Sequence, residues 1–567
     1  MNFYKKEKVS ILDANKAYSL YINGKYDKAL KIYKNLHKNF QQEVAFINQI
    51  AFIFLKLNLI TEAIKWLKKS LAINGKQLEI NFNLAVALSE TNKLEESIIY
   101  LDNITKEDIS NYNAYFFKGC ILRRLEQYQE ALIYFQIALK LRHNDINSIM
   151  EIALIHRHLG SFKESILNYD EAIKINPLFA PAFYNKGLTL DDAGDTDTAI
   201  KNYDKAIRLN PNFYEAYINK AQSLEKLFNL EEALLNYEKA IQINPNIIEP
   251  YLAQSFIHLS QCNFNLGWES YNFRFLNIEL NKKFIRDIYL KSPEDLNNFK
   301  NIFIFTEQGV GDHILFSSLF AELSKLSSEI YIEVDERLYS TFQRSFSDIN
   351  FVTKNIPQLT HYDACFGLAS LPSIFRKNIE SFDSQKFSYL KSNALKTASY
   401  RERLLKINSN HKICGISWKS QNKRFGIEKS IDLSNFQEIL NIPNIIFINL
   451  QYGVTDNEIK EFNNKYNTNI QFFSDIDHFN DLESLFSLVD ACDFVVTGSN
   501  VTAHIAGSLG KKTFLIAPIS NARIWYWHRN FSKCLWYPTV NIFSQSDIGA
   551  WSEPIKEIKR EILNAAR

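Results

Sequence analysis

Cysteine is sparse and scattered in this 567-residue sequence: Cys120, Cys262, Cys365, Cys414, Cys492 and Cys534 lie far apart, with no C-x-x-C pair. Such spacing argues against a disulfide framework or a zinc site, so the six read as free core thiols of a reducing compartment. No run of about 18 apolar residues occurs, which excludes an ordinary membrane-spanning helix. The opening MNFYKKEKVS has lysines but lacks the apolar stretch of a secretory signal. Charge of one sign is missing as well: 65 basic residues face 63 acidic ones, for a net charge of +2. With no long run of either sign, nothing points to nucleic acid or an acidic membrane. G-x-x-x-x-G-K-[ST], H-E-x-x-H and G-x-S-x-G are all absent, so P-loop, zincin and α/β-hydrolase chemistry lack support. These absences leave a cytoplasmic chain. A hydrophobic content of 46% and an aromatic content of 14% supply ample core, and the length suits three or four domains.

What is present is a 34-residue period. Copies start at Ser10, Val44, Leu78, Tyr112, Ile146, Ala180 and Tyr214, without insertion or deletion. The eighth residue of each is small (Ala17, Ala51, Ala85, Gly119, Ala153, Gly187, Ala221), and so is the twentieth (Ala29, Ala63, Ser97, Ala131, Ser165, Ala199, Ala233). Small residues at these offsets let two antiparallel helices touch closely, and a constant period stacks such pairs into a superhelix. Pro177, Pro211 and Pro245 recur one period apart, where proline ends one helix and sets up the next. The copies resemble tetratricopeptide (TPR) repeats, best at 182–211 and 216–245. A partial eighth unit, with GWESYNFRF at 267–275, is expected to cap the stack. The sixth position of each copy should face the concave groove. Asn15, Asn83, Asn185 and Asn219 stand there, and an amide both donates to and accepts from a peptide backbone. This row resembles the asparagine ladder of TPR-bearing O-GlcNAc transferases; the plainer reading is that Asn is common here in such repeats.

The period changes at Asn298. Strand NIFIF (301–305), turn TEQGVGDH, a helical stretch at 314–326 and strand IYIEV (330–334) make one βαβ unit, hence a parallel sheet. A second series runs through 412–418, 444–451, 493–498, a helix from about Val501 to Leu509, and 513–518. Two Rossmann-like units leave a cleft between them where ligands bind. Gly309, Gly311 and Glu333 imitate a dinucleotide fingerprint. However, Ile314 stands at the third glycine place, and Asp312 would oppose a pyrophosphate.

EQGVGDHILFSSLF (307–320), GISWKSQNKRFGIEKSIDL (415–433), the segment 481–518 containing GSNVTAHIAG, and WYWHRNFSKCLWYPTVNIFSQ (525–545) together resemble TPR-linked glycosyltransferases related to the heptosyltransferase-like family of GT-B enzymes. The likeness covers about 290–567 in the family's motif order. It implies a metal-independent, inverting transfer with a nucleotide-diphosphate sugar as co-substrate and no cofactor or metal. By position it implies Asp312 as general base, with helix N-capping as the alternative, and Gly309 and Gly311 as a close-approach turn. His504 would be catalytic or a packed core histidine. Gly498, Ser499 and Asn500 would cradle the diphosphate at a helix N-terminus, although the family has Asp-Thr where this chain has Ser499-Asn500. Trp418, Lys419, Arg424 and Lys429 would bind the donor; Trp418 could equally be core and the basic residues merely solvated. Asp475 and Asp477 spell D-x-D but sit just ahead of a helix, where acids complement the dipole.

The expected architecture is an all-α TPR superhelix followed by an α/β GT-B fold. Its expected divisions are seven repeats over 10–247, a partial repeat over 248–281, a linker over 282–297, an acceptor domain over 298–400 and a donor domain over 401–567. The final helix, from about Glu553 to Ala565, is expected to cross back onto the acceptor domain. The expected function is sugar transfer to a protein held by the repeats, flagellin or another surface protein. The alternatives are a saccharide or lipid-linked glycan acceptor, and a scaffold that has lost turnover.

Overall fold

The structure is a computed structural model that describes residues 2–276, 293–326, 328–353, 362–420, 426–453, 456–520 and 522–565. It divides into two compact units, 1–223 and 224–567.

In the first unit the period becomes helix pairs. First helices start at Val44, Leu78, Tyr112, Ile146, Ala180 and Tyr214, and second helices at Tyr26, Ile60, Leu94, Tyr128, Phe162 and Thr196. The small residues at the eighth and twentieth places are fully buried, Ala51 and Ala63 among them. The packing is tightest where the eighth residue is glycine. A Cβ on Gly119 would lie 2.9 Å from the Phe135 ring, and one on Gly187 would lie 2.6 Å from that of Tyr203. The turn between paired helices places one residue per repeat in the left-handed region: Gly24, Asn58, Asn92, Glu126, Gly160 and Gly194, continued in the second unit by Phe228 and Cys262. Among the described residues no helix is long and apolar enough to cross a membrane.

The second unit begins inside the seventh repeat. It keeps the second helix of that repeat, Leu230–Ile243, and the whole eighth repeat, Ile248–Ser260 and Phe264–Tyr271, closed by a 3-10 turn at Asn272–Leu276. The eighth repeat is more than a cap. Leu259, Phe264, Trp268 and Tyr271 belong to the same apolar core as Ile302, Ile314 and Trp525, and the Trp268 indole N–H donates to the Arg376 carbonyl at 2.7 Å. The compact boundary therefore falls near 223 rather than at 281. The linker assigned to 282–297 lies outside the described residues except for a short helix, Pro293–Leu296.

Among the described residues two sheets of parallel strands follow. The first contains β1 (Asn301–Phe305), β2 (Glu329–Glu333), β3 (Asn350–Val352) and β4 (Ala364–Gly367) in the order β3-β2-β1-β4. The second contains β5 (Lys412–Ser417), β6 (Ile445–Asn449), β7 (Ile470–Gln471), β8 (Phe494–Gly498), β9 (Lys512–Ala517) and β10 (Val540–Ser544) in the order β10-β9-β8-β5-β6-β7. Counted within its own sheet, the latter is the doubly wound order 3-2-1-4-5-6, whose chain direction reverses between β5 and β8. The reversal in the first sheet lies between β1 and β4. Each reversal opens a crevice at the carboxyl ends of its strands, and the chemistry-bearing residues collect there.

Two expectations about boundaries fail. Helix Ala394–Leu405 straddles the division placed at 400/401 and packs on helix Leu482–Ala491 of the second sheet, where Arg401 pairs with Asp493 at 2.9 Å. The last helix, Ser552–Ala565, does not return to the first sheet. Ile555, Ile558 and Ile562 join Ile439 and Ile459 in the core around Cys414, Phe436 and Phe514.

Candidate active site

The turn after β1 is held from two sides. Glu307 pairs with Arg274 of the eighth repeat at 2.8 Å, with both side chains buried, and it also accepts from the Ala369 N–H. Gly367 permits this, since a Cβ there would lie 2.2 Å from the Glu307 carboxylate. Gln308 donates to the Tyr271 hydroxyl at 3.0 Å. The first two residues of EQGVGD thus anchor the turn to the repeat, which leaves the glycines and the aspartate for the cleft.

Gly309 caps helix Val310–Phe316. Asp312 stands in its first turn, and burial raises its pKa to about 6, opposed by the backbone N–H groups of Gly309 and Asp312 and by the charge of Lys429. The carboxylate lies beside its own helix start, with Oδ2 3.8 Å from where a Cβ on Gly309 would stand, and it feels the charge of Lys429. Lys429, on a short helix at Gly426–Lys429, is 4% exposed. Burial lowers its pKa to about 8, against the attraction of Asp312 and Glu428. The crevices of two separate sheets thus bring an acid and a base into one electrostatic environment.

Helix Val501–Ser508 packs on helix Val310–Phe316, and a Cβ on Gly311 would lie 3.1 Å from the His504 ring. Glycine at 311 is a consequence of that approach. His504 itself has both nitrogens engaged, Nδ1 with the Tyr537 hydroxyl at 2.8 Å and Nε2 with the Tyr526 hydroxyl at 3.1 Å. Burial, with Lys429 nearby, lowers its pKa to about 3. It is a neutral, satisfied histidine with no ring nitrogen left for proton transfer, which is the plainer of its two readings.

The residues expected to bind a donor separate into different roles. The Trp418 indole is core, packed with Ile431, Phe436 and Ile516. The Asn500 amide donates to the Ser417 hydroxyl at 2.6 Å and to the Lys419 carbonyl at 3.2 Å, while its oxygen caps Thr502. It latches β5 to the helix start instead of reaching outward. The Ser499 hydroxyl accepts from the Trp527 indole at 3.0 Å. Gly498 ends β8 with room for a Cβ, 3.6 Å from the Lys429 carbonyl. Lys419 lines a cleft of about 470 Å³ with Ser420, Ser430, Asp432 and Tyr452 at the carboxyl ends of β5 and β6. Arg424 lies outside the described residues. Gln451, unnoticed in the sequence, organises this edge: its Oε1 accepts from the Ser417 hydroxyl and from the backbone N–H groups of Trp418 and Lys419. Of the D-x-D pair, Asp475 is bound to Arg403, and Asp477 accepts from the N–H groups of Phe479 and Asn480.

In the first unit, Asn15 lines a groove of about 620 Å³ with Tyr18, Tyr33, Phe46, Asn48, Gln49, Phe52 and Gln77. Asn83 and Asn185 are half-buried. The Asn219 amide donates to the Tyr184 hydroxyl at 3.0 Å and to the Glu215 carbonyl at 2.9 Å, so both of its hydrogens are already placed.

Residues 112–145, 146–177, 180–213 and 214–247 match models of the tetratricopeptide repeat. Repeats of this kind therefore form the helical half. Protein FlbA of Caulobacter vibrioides is 27% identical over 323 residues, which are 53% of this chain and 52% of that protein. The chain thus spans about half the length of this curated relative. Solved structures with a likeness include a tetratricopeptide repeat protein from Parabacteroides merdae (16% identity, TM-score 0.37, 42% of this chain and 94% of that one). Another is YrrB, described as a TPR protein with an unusual peptide-binding site (20% identity, TM-score 0.29, 32% of this chain and 95% of that one).

Proposed function

We propose that the parallel-sheet half is a GT-B glycosyltransferase acting on a protein that the repeats recruit. The observation that carries this reading is the electrostatic coupling of Asp312, in the turn after β1, with Lys429, beside the end of β5, which accompanies a carboxyl raised to about 6 and an amine lowered to about 8 by burial. Near neutral pH Asp312 is ionised and takes the proton of an acceptor hydroxyl. The hydroxyl oxygen attacks the anomeric carbon as the bond to the diphosphate breaks, which inverts the configuration. The Lys429 cation offsets charge on the departing diphosphate, and the 470 Å³ cleft beside it accommodates the nucleotide.

Nucleotide release from a panel of nucleotide-sugars, with the purified chain and candidate acceptors, tests the reading. Release that is lost in Asp312→Ala supports it; no release with any donor sinks it. Two observations favour the rival reading of a TPR scaffold without turnover: His504 and Asn500 are both occupied by structural hydrogen bonds. A saccharide or lipid-linked acceptor is separated by transfer that persists when residues 1–223 are removed.

A further inference from the structure

The outer face of the repeats carries a pattern that their own packing does not use. In helix Tyr128–Leu141 the buried side is Ala131, Phe135 and Ala138. Ile133 stands two residues from both Ala131 and Phe135, about 200° around the helix, and so points away from that core. It is 54% exposed; one period before it stands Ile99, 58% exposed, and one period after it Leu167, 67% exposed. A lone exposed aliphatic side chain is ordinary. Three at the same place in consecutive repeats form a row, because the constant period sets the second helices side by side. The row is bounded: the same place holds Lys65 in the repeat before and Lys201 in the repeat after, both exposed. Three residues before each aliphatic side chain stands a glutamate, Glu96, Glu130 or Glu164, and seven residues after it a lysine, Lys106, Lys140 or Lys174. Only the third, fourth and fifth repeats combine all three features. Acids at helix starts and lysines at helix ends complement the helix dipole, which accounts for the charges but not for the aliphatic row between them.

We propose that this row is a self-complementary interface through which a second copy of the chain pairs, with the two-fold axis running along the row. An apolar row with acids on one side and cations on the other complements itself in one arrangement. Rotation about an axis along the row lays the acids of each copy on the lysines of the other. An axis across the row would instead set like charges together. The row therefore fits a second copy in parallel register, each aliphatic residue meeting its own counterpart, with Ile133 at the centre. Glu96 is already tied to Lys68 of the preceding repeat, so the exposed Glu130 and Glu164 carry most of the acid side. Pairing through the second helices leaves the groove lined by Asn15 and Gln49 open to a protein. The proposal does not depend on the transferase reading.

Sedimentation equilibrium of the full-length chain reads the association. The expected result is a reversible monomer–dimer equilibrium. Ile133→Asp should raise its dissociation constant about tenfold or more, because a charge is then buried without a partner at the centre of the row. Its melting temperature should hold when measured on dilute, monomeric protein, since the side chain lies outside the core. Glu130→Lys with Glu164→Lys, and separately Lys140→Glu with Lys174→Glu, should each weaken self-pairing. The two charge-reversed chains mixed in equal amounts should pair again, because each then offers what the other needs. A native chain that stays monomeric overturns the proposal and gives the row to a foreign partner. A dimer that Ile133→Asp leaves intact overturns it as well. If Ile133→Asp melts early, the charge-reversed chains decide: a mixture that pairs no better than either chain alone overturns the proposal.

Discussion

At the scale of single residues the cleft trades stability for poise. Asp312 has a folded pKa of about 6, above its ordinary value, so the fold favours its protonated form. That contribution is present below about pH 4 and is lost as pH rises through about 6. Asp312→Asn loses nothing over this range. Its stability relative to the native chain should therefore grow between pH 4 and pH 6.5, by about 2 kcal/mol in urea melts. Turnover should follow the opposite demand, rising as Asp312 ionises near pH 6 and falling as Lys429 deprotonates near pH 8. A flat pH-rate profile between 5 and 9 would remove both from the chemistry. Arg274 and Glu307 form the buried pair behind this turn. Arg274→Met should cost about 3–5 kcal/mol, because it strands a buried carboxylate, and replacing both partners by apolar residues should recover much of that. Equilibrium unfolding of the single and double variants measures the coupling.

At the scale of elements the repeats are built on two backbone requirements. One is close approach, seen where Gly187 meets the Tyr203 ring. Gly187→Ala should destabilise by about 1–3 kcal/mol, since the ring is fully buried and has nowhere to yield. The other is the left-handed residue in each inter-helix turn, where Glu126 adopts φ 59° although glycine fills the same place in other copies. Glu126→Gly should stabilise by about 1 kcal/mol in thermal melts, because the Cβ that opposes this conformation is removed. The two substitutions test opposite uses of glycine in one period.

At the scale of the whole molecule the compact boundary makes a prediction about truncation. A chain starting at 224 keeps the eighth repeat, and with it Trp268 against Trp525 and Arg274 against Glu307. It should unfold cooperatively. A chain starting at 277 exposes the apolar surface those residues cover and should aggregate or melt early. Similar melting of the two fragments would mean that the eighth repeat is only a cap.

The order of the repeats, the starts of their first helices from Val44 to Tyr214, and strands such as β1, β5, β8 and β9 were legible in the sequence. A 34-residue period and near-continuous apolar runs are local signals, and β5, β8 and β9 are buried on both faces. Short strands such as β3, β4 and β7 were not, because two to four residues carry no period. Asp312 and Lys429 were visible as residue types in a motif. That each feels the other's charge, that His504 is saturated by Tyr526 and Tyr537, that Asn500 is a latch and Trp418 core, and that Arg274 holds Glu307 were decided only by tertiary structure. Each of these depends on which donor and which acceptor meet across two sheets and a repeat, and a hydrogen bond between residues far apart in sequence leaves no mark on local spacing. The sequence alone determined what the helical half is; the packing of the second unit decided what the residues of its cleft are free to do.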